Sequence, residues 1–381
     1  MTRRGARRPN SSEPELGHPR PTPREKAPRA GKGAGELRPI RLEANQPRHF
    51  YRGGAAIANF RGVLASDEYL PEDWLGSTTS MFGRPGVGLS RLPDGRLLRD
   101  AVSEDPEAWL GPDHVAHFGV DSALLVKLLD AGERLPVHCH PSRSFAGRHL
   151  GCVHGKTEAW IVLGTSGDDP VVYLGFREEV SLDTLRELVS SQDRVALLEA
   201  LNVFHVQPGD AVLVPAGVPH AIGAGVFVVE LQEPSDLSVM LERAGFNFFE
   251  GAALDLGLGD ELALSCVDRT AWGSDRLARV HLRHGLELAP GTSLLPPEAD
   301  DFFRAERWRI GGTAVRLEPG FALLVVVTGS GAIRAKDAEL SLARGATILV
   351  PHGAGQTSLS GDLDLIRCRP PAPNPSREQA Q

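Results

Sequence analysis

The sequence predicts a mainly β protein, built as two jelly-roll-like β-barrel domains in tandem, the first carrying a small helical insertion. Three observations carry this reading. Glycine (42) and proline (29) are abundant among the 381 residues, which suits many short strands joined by turns more than a helical bundle. Short apolar runs such as "EAWIVLG", "DPVVYLGF" and "DAVLVPAG" recur between turn-rich linkers. A late phrase, "ARGATILVPHGAG", echoes an earlier one, "QPGDAVLVPAGVPHAIG". Each is a glycine, an aliphatic strand, a proline and a glycine turn, so the repeat unit is about one β domain.

Taken in order, residues 1–38 hold ten Lys/Arg against four Asp/Glu and few apolar groups, a local charge of +6. Such a segment cannot bury enough surface to offset its ordering entropy, so a disordered basic tail is expected. Residues 39–275 form the first domain. "ANFRGV" reads as a strand piece, and "DEYLPEDWLGSTTSMFGRPGVGLS" as a polar loop beside Trp74. "DSALLVKLLDA" reads as a strand leading through a hairpin turn into "GERLPVHCHP", and "TEAWIVLG" with "DPVVYLGF" as a second hairpin. The one clearly helical region is an insertion at about 179–203. There Leu182, Leu185, Leu188 and Val189 share a face that Val195, Leu198 and Leu201 repeat after "SSQD", with Ser181 as N-cap. Residues 276–372 form the second β domain, in which "DFFRAERWRI" reads as a strand pair, and 373–381 a loose end.

Composition narrows the function. No apolar run approaches the roughly 18 residues of a membrane span, and the arginine-rich start lacks a signal peptide's apolar core. The four cysteines have no CxxC spacing, so reduced thiols and a cytoplasmic location are expected. The net charge is −8, and an acidic body argues against nucleic acid as the main partner. A monomer is expected.

The chemistry lies in four residues. His138 and His140 stand two apart in "VHCHP"; on a strand they share a face while Cys139 points away. Glu158 opens the next strand, and His220 follows the turn "VPAGVPH". Three imidazoles and a carboxylate suit one divalent metal: zinc first, with iron, manganese or nickel as alternatives. HxH, then Glu, then Gly209, Pro215, Gly217 and His220 as G-x5-P-x-G-x2-H match the two-part cupin signature, with an unusually long loop between His140 and Glu158.

That loop, "GKTEAW", "PAGVPHAIG", "PEDWLGST" and the helical insertion together resemble the class I, zinc-dependent mannose-6-phosphate isomerases, across about residues 45–370. The resemblance implies a metal-binding cupin domain followed by a metal-free one. It places the ligands on His138, His140, Glu158 and His220, with His138 where the family has glutamine. The family's lysine near the sugar falls on Lys156; the histidine often found before it is replaced by Gly155, with His154 one position earlier. The family's arginine, important for catalysis and the phosphate-bearing substrate, falls on Met240, with Arg243 three residues on.

Aldose–ketose isomerisation needs an electrophile at the carbonyl and a group to move the proton between neighbouring carbons. The metal supplies the first, and Lys156 with Glu158 are the catalytic candidates. The expected partner is a small sugar or sugar phosphate. The alternatives are a metal cupin enzyme of the same architecture acting on an unphosphorylated sugar or another substrate, an oxygenase included, and a non-catalytic sugar-binding cupin. His49, His114, His117, His205 and His284 lack partner spacing and read as ordinary surface or core histidines.

Overall fold

The structure, a computed structural model, describes residues 37–284 and 288–373. The expected basic tail lies outside them except for residues 37 and 38, as does the loose C-terminal end beyond residue 373.

Strands of the first half are β1 (Ile40–Arg41), β2 (Glu72–Leu75), β3 (Leu125–Asp130), β4 (His138–Cys139), β5 (Glu158–Thr165), β6 (Val171–Phe176), β7 (Leu201–His205), β8 (Asp210–Val214), β9 (His220–Ile222), β10 (Val226–Gln232), β11 (Val239–Met240) and β12 (His281–Arg283). The second half adds β13 (Thr292–Ser293), β14 (Arg304–Gly311), β15 (Val315–Leu317), β16 (Ala322–Ala335), β17 (Ala338–Ala343), β18 (Thr347–Val350) and β19 (Thr357–Arg369). They form three sheets. A six-stranded sheet runs β12-β8-β5-β10-β3-β2, and a five-stranded sheet runs β11-β4-β9-β6-β7. An eight-stranded sheet runs β1-β18-β16-β19-β14-β13, with β15 on β19 and β17 on β16. The mainly β, cupin-like architecture is as expected, although the sheets remain open instead of closing into barrels. β12, past residue 276, pairs with β8, while β1 reaches across to β18.

Several local readings need correction. "ANFRGV" lies in and just after the helix Ala56–Arg61, which buries Ile57 and Phe60 one turn apart and stops at Gly62 (φ 70°). The "loop" around Trp74 contains β2, whose four residues are all buried. Neither expected hairpin forms. β3 and β5 belong to the six-stranded sheet and β4 and β6 to the five-stranded one, so those turns carry the chain from one sheet to the other. "DFFRAERWRI" holds one strand, β14, paired on both sides. Helices of five to eight residues also occur outside the insertion, among them Pro106–Leu110 and Arg143–Leu150. They are too short to display a period; Pro106 with the Asp105 cap starts the first of these two, and the Ser142 cap the second.

The insertion itself is two helices, Leu182–Ser191 and Arg194–Glu199. Ser181 Oγ accepts the Thr184 amide at 3.0 Å, as expected. The "SSQD" break is a left-handed Gln192 (φ 54°) followed by Asp193, which caps the next helix through the Val195 and Ala196 amides. Leu185, Val189 and Leu197 are buried there, whereas Val195 faces solvent. These helices cover one face of the five-stranded sheet in a cluster that includes Val137, Cys139 and Leu241. Cys139 thus packs outward under the insertion, and strand alternation turns His138 and His140 to the other face.

Candidate metal centre and active-site cavity

Each histidine is fixed by its backbone surroundings. His138 and His220 are direct cross-strand partners on β4 and β9, and His140 follows β4. The Nδ1 atoms of His138, His140 and His220 each lie 2.8 Å from a backbone carbonyl, those of Pro136, Leu237 and Val218. A carbonyl accepts only, so Nδ1 carries the proton and each Nε2 keeps its lone pair. One candidate ligand atom from each ring lies within 4.8 Å of the others, in a fully buried group. Glu158 enters from β5: Oε2 is 3.0 Å from His140 Nε2 and Oε1 3.3 Å from His220 Nε2. Trp160 Nε1 donates to Oε1 at 3.0 Å and holds the carboxylate in place.

His140 Nε2, His220 Nε2 and Glu158 Oε2 are buried and lack a hydrogen-bond partner among the described residues. Buried polar atoms are rarely left so, and a cation at their convergence satisfies all three at once. The donor set therefore fits a divalent metal. Burial, followed by the Lys156 ammonium, lowers the His140 imidazole to about 3, and burial with the neighbouring rings takes His138 well below its ordinary value. Both rings are neutral at physiological pH, the form a metal binds.

The turn before His220 is set by Gly217, at φ 87°. Its amide donates to the His140 carbonyl at 2.7 Å, tying the two motifs together. A Cβ there would stand 2.9 Å from the Cys266 carbonyl oxygen. The long loop before Glu158 holds the helix Arg143–Leu150, capped by Ser142. It returns so tightly that a Cβ on Gly155 would lie 2.6 Å from the Pro141 carbonyl oxygen, which explains glycine there. His154 moves to the outside of this return, 2.6 Å from Asp121 Oδ2. Lys156, held by its amide to Pro141, places Nζ 3.8 Å from Glu158 Oε2.

Beside this centre lies a cavity of about 260 Å³, lined among others by His138, Lys156, Met240, Lys127, Glu72 and His49. Met240 faces it, but Arg243 does not line it: its side chain pairs with Asp260 and donates to the Met240 carbonyl.

Comparison with known proteins fits this geometry. The sequence model of the mannose-6-phosphate isomerase cupin domain matches residues 286–370. The chain is 27% identical to the mannose-6-phosphate isomerase ManA of Bacillus subtilis over 322 residues, 82% of this chain and 93% of that protein. It is 28% identical to the mannose-6-phosphate isomerase of Streptococcus mutans over 244 residues, 64% of this chain and 72% of that one. Among solved structures, the mannose 6-phosphate isomerase of Bacillus subtilis superposes with a TM-score of 0.68 at 21% identity, covering 87% of this chain and all (100%) of that one. The apo mannose 6-phosphate isomerase of Salmonella typhimurium gives 0.66 at 16% identity, covering 88% and 100%. These similarities support reading the chain as a divergent relative of the cupin mannose-6-phosphate isomerases.

The cavity also holds a second charged cluster that the motifs do not mark. Lys127 Nζ lies 3.1 Å from Glu72 Oε2, 3.8 Å from Glu230 Oε2 and 4.7 Å above the Trp74 ring. Glu72 also accepts from Tyr51 Oη (2.6 Å) and Trp74 Nε1 (2.7 Å) and meets His49 Nε2 at 3.2 Å. Burial opposes ionisation of Glu72, but His49 and Lys127 hold it well below the usual carboxylate range. Burial pushes Glu230 well above that range, against the pull of Lys127. Trp74, Lys127, Glu230 and Trp160 are cross-strand neighbours in one row over four strands. Glu72 and Glu158 stand two residues from the tryptophans at its ends, so all six share the inner face. His49 is therefore part of the cavity, not an ordinary histidine.

Proposed function

We propose that this protein is a metal-dependent aldose–ketose isomerase that interconverts mannose 6-phosphate and fructose 6-phosphate through an enediol. The observation that carries the proposal is the convergence of buried imidazole nitrogens and Glu158 beside a cavity into which Lys156 projects. His138, His140, Glu158 and His220 would hold the metal, with zinc as first choice. When bound, such an ion acts as a Lewis acid towards a carbonyl and a neighbouring hydroxyl.

The chain's own groups do the rest. Lys156 is the candidate for moving the proton between C2 and C1 and for orienting the open chain. Trp160 holds Glu158 in its ligand geometry, and the carbonyls of Pro136, Leu237 and Val218 hold the three rings. Lys127, locked between Glu72 and Glu230, forms a fixed, internally paired charge cluster in the cavity wall that can orient polar groups of the substrate. Lys127, Lys156, Glu72 and Glu230 are all buried in the cavity wall, where water screens their charges little. A cytoplasmic location and a monomeric chain belong to the same proposal; among the described residues no helix is long and apolar enough to cross a membrane.

One observation favours a second reading. Met240 presents an apolar side chain to the cavity, so an unphosphorylated sugar is the alternative substrate. Metal analysis of the purified protein should accompany turnover assays on mannose 6-phosphate and free mannose with Zn, Mn and Fe supplied in turn. Zinc-dependent turnover of mannose 6-phosphate, abolished by chelation and restored by zinc, is expected. Turnover of mannose alone would select the second reading. A metal-loaded protein active on neither sugar would refute both, and oxygen consumption with iron would mark an oxygenase.

A further inference from the structure

Residues Met81–Arg84 make a tight turn: the Arg84 amide donates to the Met81 carbonyl at 3.0 Å, with Gly83 at φ 70°. The turn is pinned from the side, because the Phe82 amide donates to Asp236 Oδ2 at 3.0 Å. The Arg84 side chain is thereby held against the cavity. Nη1 donates to the Arg48 carbonyl at 2.8 Å and touches Met81 Sδ at 3.3 Å, and the guanidinium lies 4.6 Å from the centre of the Phe249 ring. Both Arg84 and Phe249 line the cavity that His138 and Lys156 also line, and no other arginine does so among the described residues.

Its electrostatic state differs from that of nearby arginines. Arg48, whose carbonyl it binds, is itself paired with Asp67, and Arg243 with Asp260. The cavity lysines are engaged too, Lys127 with Glu72 and Lys156 near Glu158. Arg84 makes no ion pair among the described residues, and its Nε and Nη2 donors are not used by the contacts that hold it. A guanidinium fixed by a carbonyl and an aromatic face, with two adjacent donors left over, matches two oxygens of a phosphate. Glu250 also lines the cavity but is exposed, so solvent and salt screen its repulsion of an anion.

We infer that Arg84 is the specificity residue for the charged, non-reacting end of the substrate, binding a phosphate monoester in a bidentate grip while the carbonyl end faces the metal centre. This rests on the isomerase proposal and assigns the anion site that neither Met240 nor Arg243 provides.

The test compares metal-loaded wild type with R84Q, which keeps a planar group over Phe249, and R84K, which keeps the charge without the fork. Kinetics on mannose 6-phosphate are read beside calorimetric binding of inorganic phosphate, with melting temperature and metal content as controls. R84Q is expected to raise KM for mannose 6-phosphate and Kd for inorganic phosphate in parallel, by about 10- to 100-fold. It should leave kcat within about threefold, since the contact is to a non-reacting group, and R84K should recover part of both losses. A wild type that isomerises mannose 6-phosphate while R84Q changes neither constant overturns the Arg84 assignment and leaves the isomerase proposal standing. A wild type with no turnover, whose phosphate binding is nonetheless weakened by R84Q, keeps the anion site and sinks the isomerase.

Discussion

Replacing Lys127 by Met keeps the volume of the side-chain stem and deletes only the ammonium, which makes it the sharpest probe of the buried charged row. Lys127 is 2% exposed and Glu72 7%, so neither partner can turn to water once the other is gone. Removing one partner of a buried ion pair costs about 3–5 kcal/mol. Glu72 keeps the donors Tyr51 and Trp74, which compensate in part, and Glu230 is already pushed towards its neutral form, so the lower end applies. A loss of about 3 kcal/mol, at roughly 2–4 °C per kcal/mol, lowers Tm by about 6–12 °C. Thermal unfolding of metal-loaded protein measures this, with metal content checked in parallel. The double variant K127M/E72Q removes both charges and should be more stable than the sum of the single losses predicts, by about 1–3 kcal/mol. Additive losses, or a K127M Tm within about 1 °C of wild type, would show that the pair is not coupled as its geometry requires.

Three further outcomes follow from the structure. Burial lowers His154, but Asp121 and Glu233 outweigh it and raise the ring to about 9. Stability from this raised value is complete below the unfolded-state value of about 6.5 and lost as pH rises through 9. The urea-denaturation gap between wild type and H154N should therefore shrink from on the order of 2 kcal/mol at about pH 6 to near zero at about pH 10; a gap that grows with pH contradicts the assignment. W160F deletes the donor to Glu158 and should weaken metal binding about 10-fold in chelator competition, whereas unchanged affinity would count against Glu158 as a ligand. G217A forces a left-handed alanine against the Cys266 carbonyl and should destabilise by about 1–2 kcal/mol in denaturant melts, with weaker metal retention because the turn carries His220.

How far the sequence reveals this molecule depends on the range of the physics involved. His138 and His140 share a face because strand alternation is local, and the PxGxxH turn is legible because Gly217 needs a left-handed φ that few residues other than glycine adopt readily. Chain crossings between sheets are not legible in the same way. "TEAWIVLG" and "DPVVYLGF" are equally good strands whether they pair with each other or face each other, and only partners as distant as β8, β9 and β10 decide it. The charged row is hidden for a related reason: "LLVKLL" and "FVVELQ" each read as a core strand with one stray charge. A lysine inside an apolar strand nevertheless needs a buried partner, and a glutamate inside another apolar strand of the same domain is a natural one. Taken as a pair, Lys127 and Glu230 set β3 beside β10 in the register the fold adopts. Arg84 shows the limit of that logic. Its environment is a turn, a carbonyl and a ring from three separate segments, so nothing in "MFGRPG" marks it out until the fold brings Phe249 beneath it.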